Sequence, residues 1–339
     1  MTVPPHDDGA GDVSGYRNSL EEAEALDAID PLRHFLAASP CPDDHDNGNG
    51  DDDDDDGKDM RDVRTATDFS IVPVQRDSII NQRVTIRYYT DASVAPITFD
   101  PASPPPASPT TTATVEGDGE GQRGRAWYDV VLTLDMTEGC GGKIWPAAEV
   151  LGAYIASKHA PAASSSSYSS AESTTSSGWK GKTVVELGSG TGLVGFLVAK
   201  MGLGCRVWVT DQIPMLPLMT SNHALNQAEM VDPCLVEELN WGQPLPATVP
   251  HKPDVLLLAD CVYLEVAFQP LVDTMLALSG PSTEILFCYQ KRRKADKRFF
   301  NLLKRHFTFA DVQDDDEQRT RAYRRQGTQL LRVVKKQTK

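Results

Sequence analysis

An acid, a thiol and a phenol stand close together where a strongly apolar run ends. In the segment LLLADCVYLE, Asp260, Cys261 and Tyr263 follow Leu256–Ala259. Such a group could bind a metal, supply a nucleophile or line a binding pocket. The plainer alternatives are a helix N-cap for Asp260 and a core aromatic for Tyr263. No histidine is obviously placed to activate Cys261, so we interpret it as a buried structural thiol.

Glycines mark a second segment that could do chemistry, ELGSGTGLVG. Gly188, Gly190 and Gly192 lie where a strand pattern turns into a helix pattern, and glycine lets the backbone approach a ligand there. Residues 190–195 match the dinucleotide fingerprint G-x-G-x-x-G, which alone is a weak signal. Glu186 argues against a nicotinamide cofactor, because its carboxylate would repel a pyrophosphate and suits an ammonium group.

A further acid, Asp211, ends the next apolar run, 23 residues after Gly188. At this position a carboxylate can accept hydrogen bonds from ribose hydroxyls, although a helix N-cap is the alternative. Trp241 is placed to line an adenine slot, or is an ordinary tryptophan at the core edge. A ribose acid and an amine-binding acid without phosphate chemistry indicate S-adenosylmethionine. We predict no metal site.

Alternating strand and helix patterns position these residues. From Lys182 onward, apolar strand runs are separated by helical stretches, which predicts βαβ units. We expect FTFADV and QLLRVV to be joined by a polar loop without a helix and to pair antiparallel at one edge. The predicted fold is α/β, a doubly wound, mostly parallel seven-strand sheet with a C-terminal antiparallel hairpin. RVTIRYYT and WYDVVLTLDMT predict a small N-terminal β extension.

Charge divides the chain into regions. Residues 1–68 carry 20 of the 48 acidic and 5 of the 33 basic residues, which accounts for the net charge of −15. We expect residues 1–66 to be an acidic, mostly disordered tail, with a helix-like segment at 18–39. Residues 67–339 are expected to form one domain with low-complexity insertions at about 100–125 and 160–178.

Cysteine use and hydropathy limit the location. The six cysteines form no C-x-x-C pair, the first residues lack the pattern of a signal peptide, and no apolar run reaches the roughly 18 residues of a membrane span. We therefore expect a cytoplasmic protein without membrane contact. The basic run KRRK at 291–294 is either a solvated surface or, as we predict, a grip on a protein substrate.

Four motifs in order carry a family resemblance. ELGSGTGLVG resembles the first motif of class I seven-strand methyltransferases. GGKIWPAAEVL, ELNWG and ADCVYLE then resemble the methyltransferase-21-like protein-lysine methyltransferases, which have a D-x-x-Y/F motif. The likeness covers most of residues 127–335 and is nearest to the fungal branch that methylates translation elongation factor 1-alpha.

The resemblance implies a set of functional residues and partners. It assigns cofactor contacts to Trp145, Gly188, Ser189, Gly190, Asp211, Trp241 and Ala259, to which the residue pattern adds Glu186. Asp260 and Tyr263 would be catalytic, orienting the target lysine. The implied partner is a protein substrate, elongation factor 1-alpha, with no direct nucleic acid contact and a monomeric enzyme. The alternatives are another acceptor, either protein histidine or a small molecule, and an inactive cofactor-binding interaction module.

Overall fold

Strands and helices alternate through most of the chain. The computed structural model describes residues 79–103, 127–160, 178–292 and 296–337. The strands are β1 (Gln82–Tyr89), β2 (Ile97–Phe99), β3 (Trp127–Leu134), β4 (Thr183–Leu187), β5 (Arg206–Asp211), β6 (Cys234–Glu238), β7 (Val255–Ala259), β8 (Glu284–Gln290), β9 (Phe307–Asp311) and β10 (Thr328–Lys335). The helices are α1 (Pro146–His159), α2 (Leu193–Met201), α3 (Leu216–Asn226), α4 (Phe268–Leu278), α5 (Asp296–His306) and α6 (Glu317–Arg325).

The larger sheet has the strand order β6–β5–β4–β7–β8–β10–β9. Its first five strands are parallel, and β10 runs antiparallel to both β8 and β9. The predicted doubly wound sheet with C-terminal antiparallel strands is therefore confirmed. The chain leaves β4 toward β5 on one side and later returns to β7 on the other. Ligands bind in such sheets at the carboxyl ends of the strands beside this reversal.

Both faces of this sheet are covered, which explains its continuous apolar strands. Successive side chains of a strand point to opposite faces. Leu257 of β7 belongs to the core that includes α1 and α2, whereas Leu256 and Leu258 belong to the core that includes α4 and α5. The carboxyl end of β7 is thus fixed from both sides.

A smaller antiparallel sheet, in the order β2–β1–β3, forms the predicted N-terminal extension. Its β3 edge is covered by two asparagines of α3. Asn222 Oδ1 accepts from the Thr133 N–H at 2.7 Å and Asn226 Oδ1 from the Val131 N–H at 3.0 Å, and both amide groups donate back to β3 carbonyls. These bonds satisfy the backbone groups of an edge strand and hold β3 against α3. The segment after β3 therefore starts from a fixed position.

The connection between β9 and β10 contradicts the sequence prediction. The two strands pair antiparallel as expected, but helix α6 lies between them in the chain. Asp316 caps this helix by accepting from the Arg319 N–H at 2.8 Å, and Tyr323 is its buried residue. A helix whose sequence EQRTRAYRR buries a single side chain has almost no apolar periodicity, so the prediction of a loop was wrong.

Several predictions lie outside the described residues. These are the acidic tail with its helix-like segment and nearly all of both low-complexity insertions. Among the residues that the structure does describe, no helix is both long and apolar enough to cross a membrane. Those same residues contain no group of three or more His, Cys, Asp or Glu side chains arranged to hold a metal.

Candidate active site

The glycine loop between β4 and α2 is too closely packed to accept side chains at two positions. Gly188 has φ +62° and Gly190 has φ +54°, where glycine is favoured. A Cβ atom on Gly190 would lie 2.6 Å from the carbonyl oxygen of Gly141. One on Gly188 would lie 2.8 Å from Trp241 Cζ2. The loop is therefore covered by the turn Cys140–Gly142 on one side and by Trp241 on another.

Asp211, at the end of β5, ties this loop to the next strand. Its Oδ2 accepts from the Gly190 N–H at 2.8 Å and its Oδ1 from the Gln212 N–H at 2.7 Å. Burial raises the pKa of Asp211, and both hydrogen bonds oppose that rise. The N-cap alternative does not hold, because the following turn has Gln212 at its N-cap position. A carboxylate offers about four acceptor positions, so each oxygen keeps one for a further donor.

Ser189 faces inward from the loop. Its Oγ accepts from the Thr210 N–H at 3.0 Å and donates to the Glu186 carbonyl oxygen at 3.3 Å. Its own N–H donates to the Thr210 carbonyl oxygen at 3.0 Å. The hydroxyl and the backbone N–H of Ser189 therefore hold the loop against β5, and the cofactor contact expected of this residue stays a prediction.

Glu186 lies behind the loop and is almost fully buried. Its Oε2 accepts from the Gly195 N–H in the first turn of α2 at 2.9 Å. Burial raises the pKa of Glu186 to about 8, against the lowering effects of Gly195 and Ser189. This geometry indicates that Glu186 positions the helix after the loop. The ammonium contact expected from the sequence stays a prediction.

Asp260 follows β7 directly and has φ +62°, an unusual conformation for a residue with a Cβ atom. Its side chain is 2% exposed and forms a two-pronged ion pair with Arg292. Arg292 Nη1 donates to Oδ1 at 2.7 Å, and the Gln290 N–H approaches the same oxygen at 3.3 Å. The N-cap alternative fails here as well, because the next helical turn has Leu264 at its N-cap. Asp260 thus presents a carboxylate that a cation already engages.

Trp145 stacks on this ion pair, and Tyr263 lies nearby beside Cys140. The Arg292 guanidinium carbon lies 5.0 Å from the Trp145 ring centroid, and Lys143 Nζ lies 3.8 Å from the same centroid. Trp145 Nε1 donates to the Cys140 carbonyl oxygen at 2.9 Å. Tyr263 is half-buried beside the Cys140 side chain, and burial raises the pKa of its phenol. Tyr263 is therefore not a core aromatic but part of the same wall.

The thiol of Cys261 is buried, as we interpreted it from the sequence. Its Sγ lies 3.2 Å from the Leu187 carbonyl oxygen, and burial raises the pKa of the thiol well above its usual value. A reactive cysteine needs a lowered pKa, so Cys261 is unsuited to nucleophilic attack. Ala259 ends β7 half-buried, opposite Cys288 of β8.

The turn Cys140–Gly142 contacts both halves of the site, which are the glycine loop with Asp211 and the surroundings of Asp260. Gly141 packs on the glycine loop, while Cys140 contacts both Trp145 and Tyr263. Burial raises the pKa of the Cys140 thiol, and both Asp211 and Asp260 raise it further against the lowering effect of Lys143, so this thiol lies near both acids. The structure thus brings the predicted site residues together at one edge of the sheet.

Sequence reasoning missed Arg292. It was interpreted only as one of the four basic residues of KRRK, two of which lie outside the described residues. A usable signal was present, because Arg292 comes just after β8 and Asp260 just after the neighbouring β7. Carboxyl ends of adjacent parallel strands lie side by side, so a cation after one and an acid after the other predict an ion pair.

Comparisons with known proteins agree with this architecture. A family model described as lysine methyltransferase matches residues 128–306. The protein-lysine N-methyltransferase EFM6 of Saccharomyces cerevisiae is 39% identical over 215 residues, which cover 58% of this chain and 82% of the yeast protein. The protein N-lysine methyltransferase METTL21A of Mus musculus is 37% identical over 148 residues, 43% of this chain and 67% of the mouse protein.

A relative from Xenopus tropicalis extends the comparison. EEF1A lysine methyltransferase 3 is 32% identical over 148 residues, which cover 43% of this chain and 64% of that protein. The family model spans more than half of the chain and covers β4 through α5 with both halves of the site. Given its sheet order, its glycine loop and these matches, the chain belongs to the lysine methyltransferase family.

Proposed function

We propose that this enzyme transfers a methyl group from S-adenosylmethionine to a lysine side chain of translation elongation factor 1-alpha. One observation carries the proposal. Gly190 and Asp211 form a site suited to a nucleoside, and the turn Cys140–Gly142 connects it to the acidic and aromatic residues Asp260, Trp145 and Tyr263. The name of the Xenopus relative supports the choice of substrate.

The residues present fit S-adenosylmethionine. Asp211 has acceptor positions left for ribose hydroxyls, and the backbone at Gly188 and Gly190 can lie close to the amino-acid part of the ligand. Trp241, packed on Gly188, supplies a flat apolar surface for adenine. We assign Trp145, Ser189 and Ala259 to the same site. When bound, the cofactor supplies a methyl group on a sulfonium centre.

The half of the site around Asp260, Trp145 and Tyr263 is the acceptor side, and it must present the target lysine as a neutral amine. An unperturbed lysine has a pKa of about 10.4, so neutrality at pH 7 costs about 4.6 kcal/mol. A half-buried wall of Trp145 and Tyr263 disfavours the charged form by desolvation. Asp260 orients the nitrogen by accepting a hydrogen bond, which requires that Arg292 release at least one of its two bonds to the carboxylate. Holding the amine in line raises its effective concentration.

The remaining assignments follow from this function. We propose a monomeric, cytoplasmic enzyme of residues 67–339 with an acidic tail, acting on a protein and not on nucleic acid. The basic residues after β8 then serve the site in two ways, because Arg292 holds Asp260 and we assign the run KRRK at 291–294 to gripping the protein substrate.

A transfer assay tests the proposal. The full chain is incubated with S-adenosylmethionine labelled in its methyl group and purified elongation factor 1-alpha, and in parallel with a cell extract lacking the endogenous enzyme. We expect label on a lysine of the elongation factor, located by mass spectrometry. Transfer should be lost in Asp260→Asn and kept in Asp273→Asn, a matched change at an exposed position of α4.

Three results would contradict the proposal. Label on a histidine would exclude lysine as the acceptor, and label on small molecules alone would exclude a protein substrate. Cofactor binding without transfer to any component of the extract would indicate an interaction module.

A further inference from the structure

A cavity of about 380 Å³ lies beside the acceptor side of the site. It is bounded by the β1–β2 loop, the first turns of α1 and the outer side of α6. Its volume falls within the roughly 300–1,000 Å³ of typical ligand pockets. Most of its wall is apolar, with contributions from Ala95, Pro96, Val150 and Ala322. A small number of polar groups in an apolar cavity is the usual composition of a specific binding site.

Glu149 is a charged group of this cavity that has no partner among the described residues. It stands in the first turn of α1, and its carboxylate has no hydrogen bond or ion pair with any residue that the structure describes. Desolvation by burial raises the pKa of Glu149. Glu149 is half-buried, so its carboxylate is partly removed from water, and carboxylates in such positions are normally paired. The missing partner is therefore a cation or a donor that the described residues do not supply.

Acidic side chains outnumber basic ones in the wall of the cavity. Arg319 is engaged by Asp315, by Ser157 Oγ at 2.9 Å and by the Ala153 carbonyl oxygen at 3.1 Å. Asp316 lies in the wall and caps α6. The wall therefore offers two acids, Glu149 and Asp316, against one cation that is already paired.

The helix ends around the cavity do not make it an anion site. Helix α1 begins with Pro146, which has no N–H, and the N–H groups of Ala148 and Glu149 donate to the Trp145 carbonyl oxygen. At the start of α6, the N–H groups of Arg319 and Thr320 donate to Asp316. An anion would find few unoccupied donors and two carboxylates.

The cavity adjoins the acceptor side at two points. Pro146 in its wall follows Trp145 directly. Gln326, also in its wall, accepts through its carbonyl oxygen from Gln290 Nε2 at 3.1 Å, and the Gln290 N–H approaches Asp260 Oδ1 at 3.3 Å. A protein that places one lysine at Asp260 thus lies within reach of the cavity with its neighbouring side chains.

We propose that this cavity binds a second basic side chain of the protein substrate, a lysine or arginine next to the lysine that is methylated. This inference rests on the proposed function and adds a specificity site to it. The apolar wall packs on the aliphatic stem of such a side chain, and Glu149 pairs with its charged head. Substrate selection then requires two cations at a fixed separation.

Steady-state kinetics of Glu149→Gln in the full chain test this site. With elongation factor 1-alpha as the probe, we expect KM for the protein to rise about tenfold, since one charge-assisted hydrogen bond is weakened. We expect kcat and KM for S-adenosylmethionine to stay unchanged. The melting temperature should not fall, because the substitution removes an unpaired, desolvated charge. Glu317→Gln is the matched control, an acid in the first turn of the same α6 that is paired with Arg321 and does not line the cavity.

A double-mutant cycle identifies the partner side chain. Each basic residue near the methylated lysine of the elongation factor is replaced by alanine, and KM is measured with wild-type enzyme and with Glu149→Gln. One replacement should raise KM for the wild type and have no further effect on the variant. Independent effects at every position would overturn the inference, as would an equal rise in KM for the cofactor. If the wild type methylates no protein, the proposed function fails first. An active wild type with an unchanged KM in Glu149→Gln removes only this inference.

Discussion

The two halves of the active site are held together by different kinds of bond. On the cofactor side, Asp211 accepts from backbone N–H groups of the glycine loop and of its own turn. On the acceptor side, Asp260 pairs with the Arg292 side chain, 32 residues further along the chain. Backbone donors are fixed by the strands around them, whereas an arginine side chain can change its rotamer.

This difference matches what each half would bind under the proposed function. A small cofactor gains affinity from a preformed site that does not reorganise. A protein lysine brings its own positive charge to a carboxylate that Arg292 already occupies, so the acceptor side has to exchange partners. In the free enzyme, the ion pair with Arg292 also compensates the negative charge of the Asp260 carboxylate, whose side chain is only 2% exposed.

Asp260→Asn should have the largest effect, because it removes the carboxylate that both Arg292 and the target lysine use on the acceptor side. Asparagine tolerates the positive φ of this position, so the backbone is preserved. Loss of the charge pairing between Asp260 and Arg292 should lower the free energy of unfolding by about 3 kcal/mol. Misplacing the lysine should lower kcat about 100-fold. Denaturant unfolding and single-turnover methyl transfer measure the two effects, and KM for S-adenosylmethionine should remain near the wild-type value. A variant with normal kcat would show that Asp260 serves stability alone.

Asp211→Asn should break the fixed half and give the opposite kinetic pattern. The asparagine NH₂ group would face the N–H of Gly190 or of Gln212, and one hydrogen bond becomes a donor–donor contact. We expect KM for S-adenosylmethionine to rise about 10- to 100-fold, since hydrogen bonds to a charged group are lost. KM for the protein substrate should not change. Calorimetric titration with S-adenosylhomocysteine provides the check, with Asp273→Asn as the control.

The same contrast explains what the sequence could predict. The glycine loop and Asp211 are local features at the ends of consecutive strands, and strand periodicity with glycine spacing is enough to place them side by side. The seven-strand sheet follows from apolar runs such as Leu256–Ala259, which are buried from both faces.

The rest depends on side chains distant in the chain. Predicting the Asp260–Arg292 pair requires knowing that β7 and β8 are neighbours, and the residue pattern alone predicts Arg292 only as part of a basic run that grips a protein substrate. Helix α6 forms through its Asp316 cap and one buried tyrosine, which apolar periodicity does not detect. The assigned roles of the site residues remain predictions that the substitutions described here decide.

Arg292→Lys should have an intermediate effect. It tests whether the exchange of Arg292 for the substrate lysine at Asp260 limits the reaction. Lysine keeps the charge but cannot form the two parallel bonds to Asp260 or stack on Trp145 in the same way. We expect kcat to fall about tenfold, equivalent to about 1.4 kcal/mol, with KM for the cofactor unchanged. Arg305→Lys at an exposed position of α5 is the control. If activity rises instead, Arg292 competes with the substrate for Asp260 and does not assist it.

Glu186→Gln should have the smallest effect on activity, because Glu186 lies behind the glycine loop on the cofactor side. The amide oxygen can still accept from the Gly195 N–H, so the helix after the loop keeps its position. We expect KM for S-adenosylmethionine to change little, whereas a clear rise would show that the carboxylate contacts the cofactor ammonium.

The pH dependence of stability gives this last variant an independent readout. Burial raises the pKa of Glu186 from 4.5 to about 8, so the folded state holds a proton that the unfolded state has released between these values. The free energy of unfolding of the wild type should therefore fall as pH rises from about 4.5 to 8, by at most about 1.4 kcal/mol for each unit. Glutamine does not titrate, so Glu186→Gln should flatten this decline and be relatively more stable at pH 8 than at pH 5. Melting temperatures across that range test the expectation, and parallel curves for the two proteins would place the charged form of Glu186 in the native state.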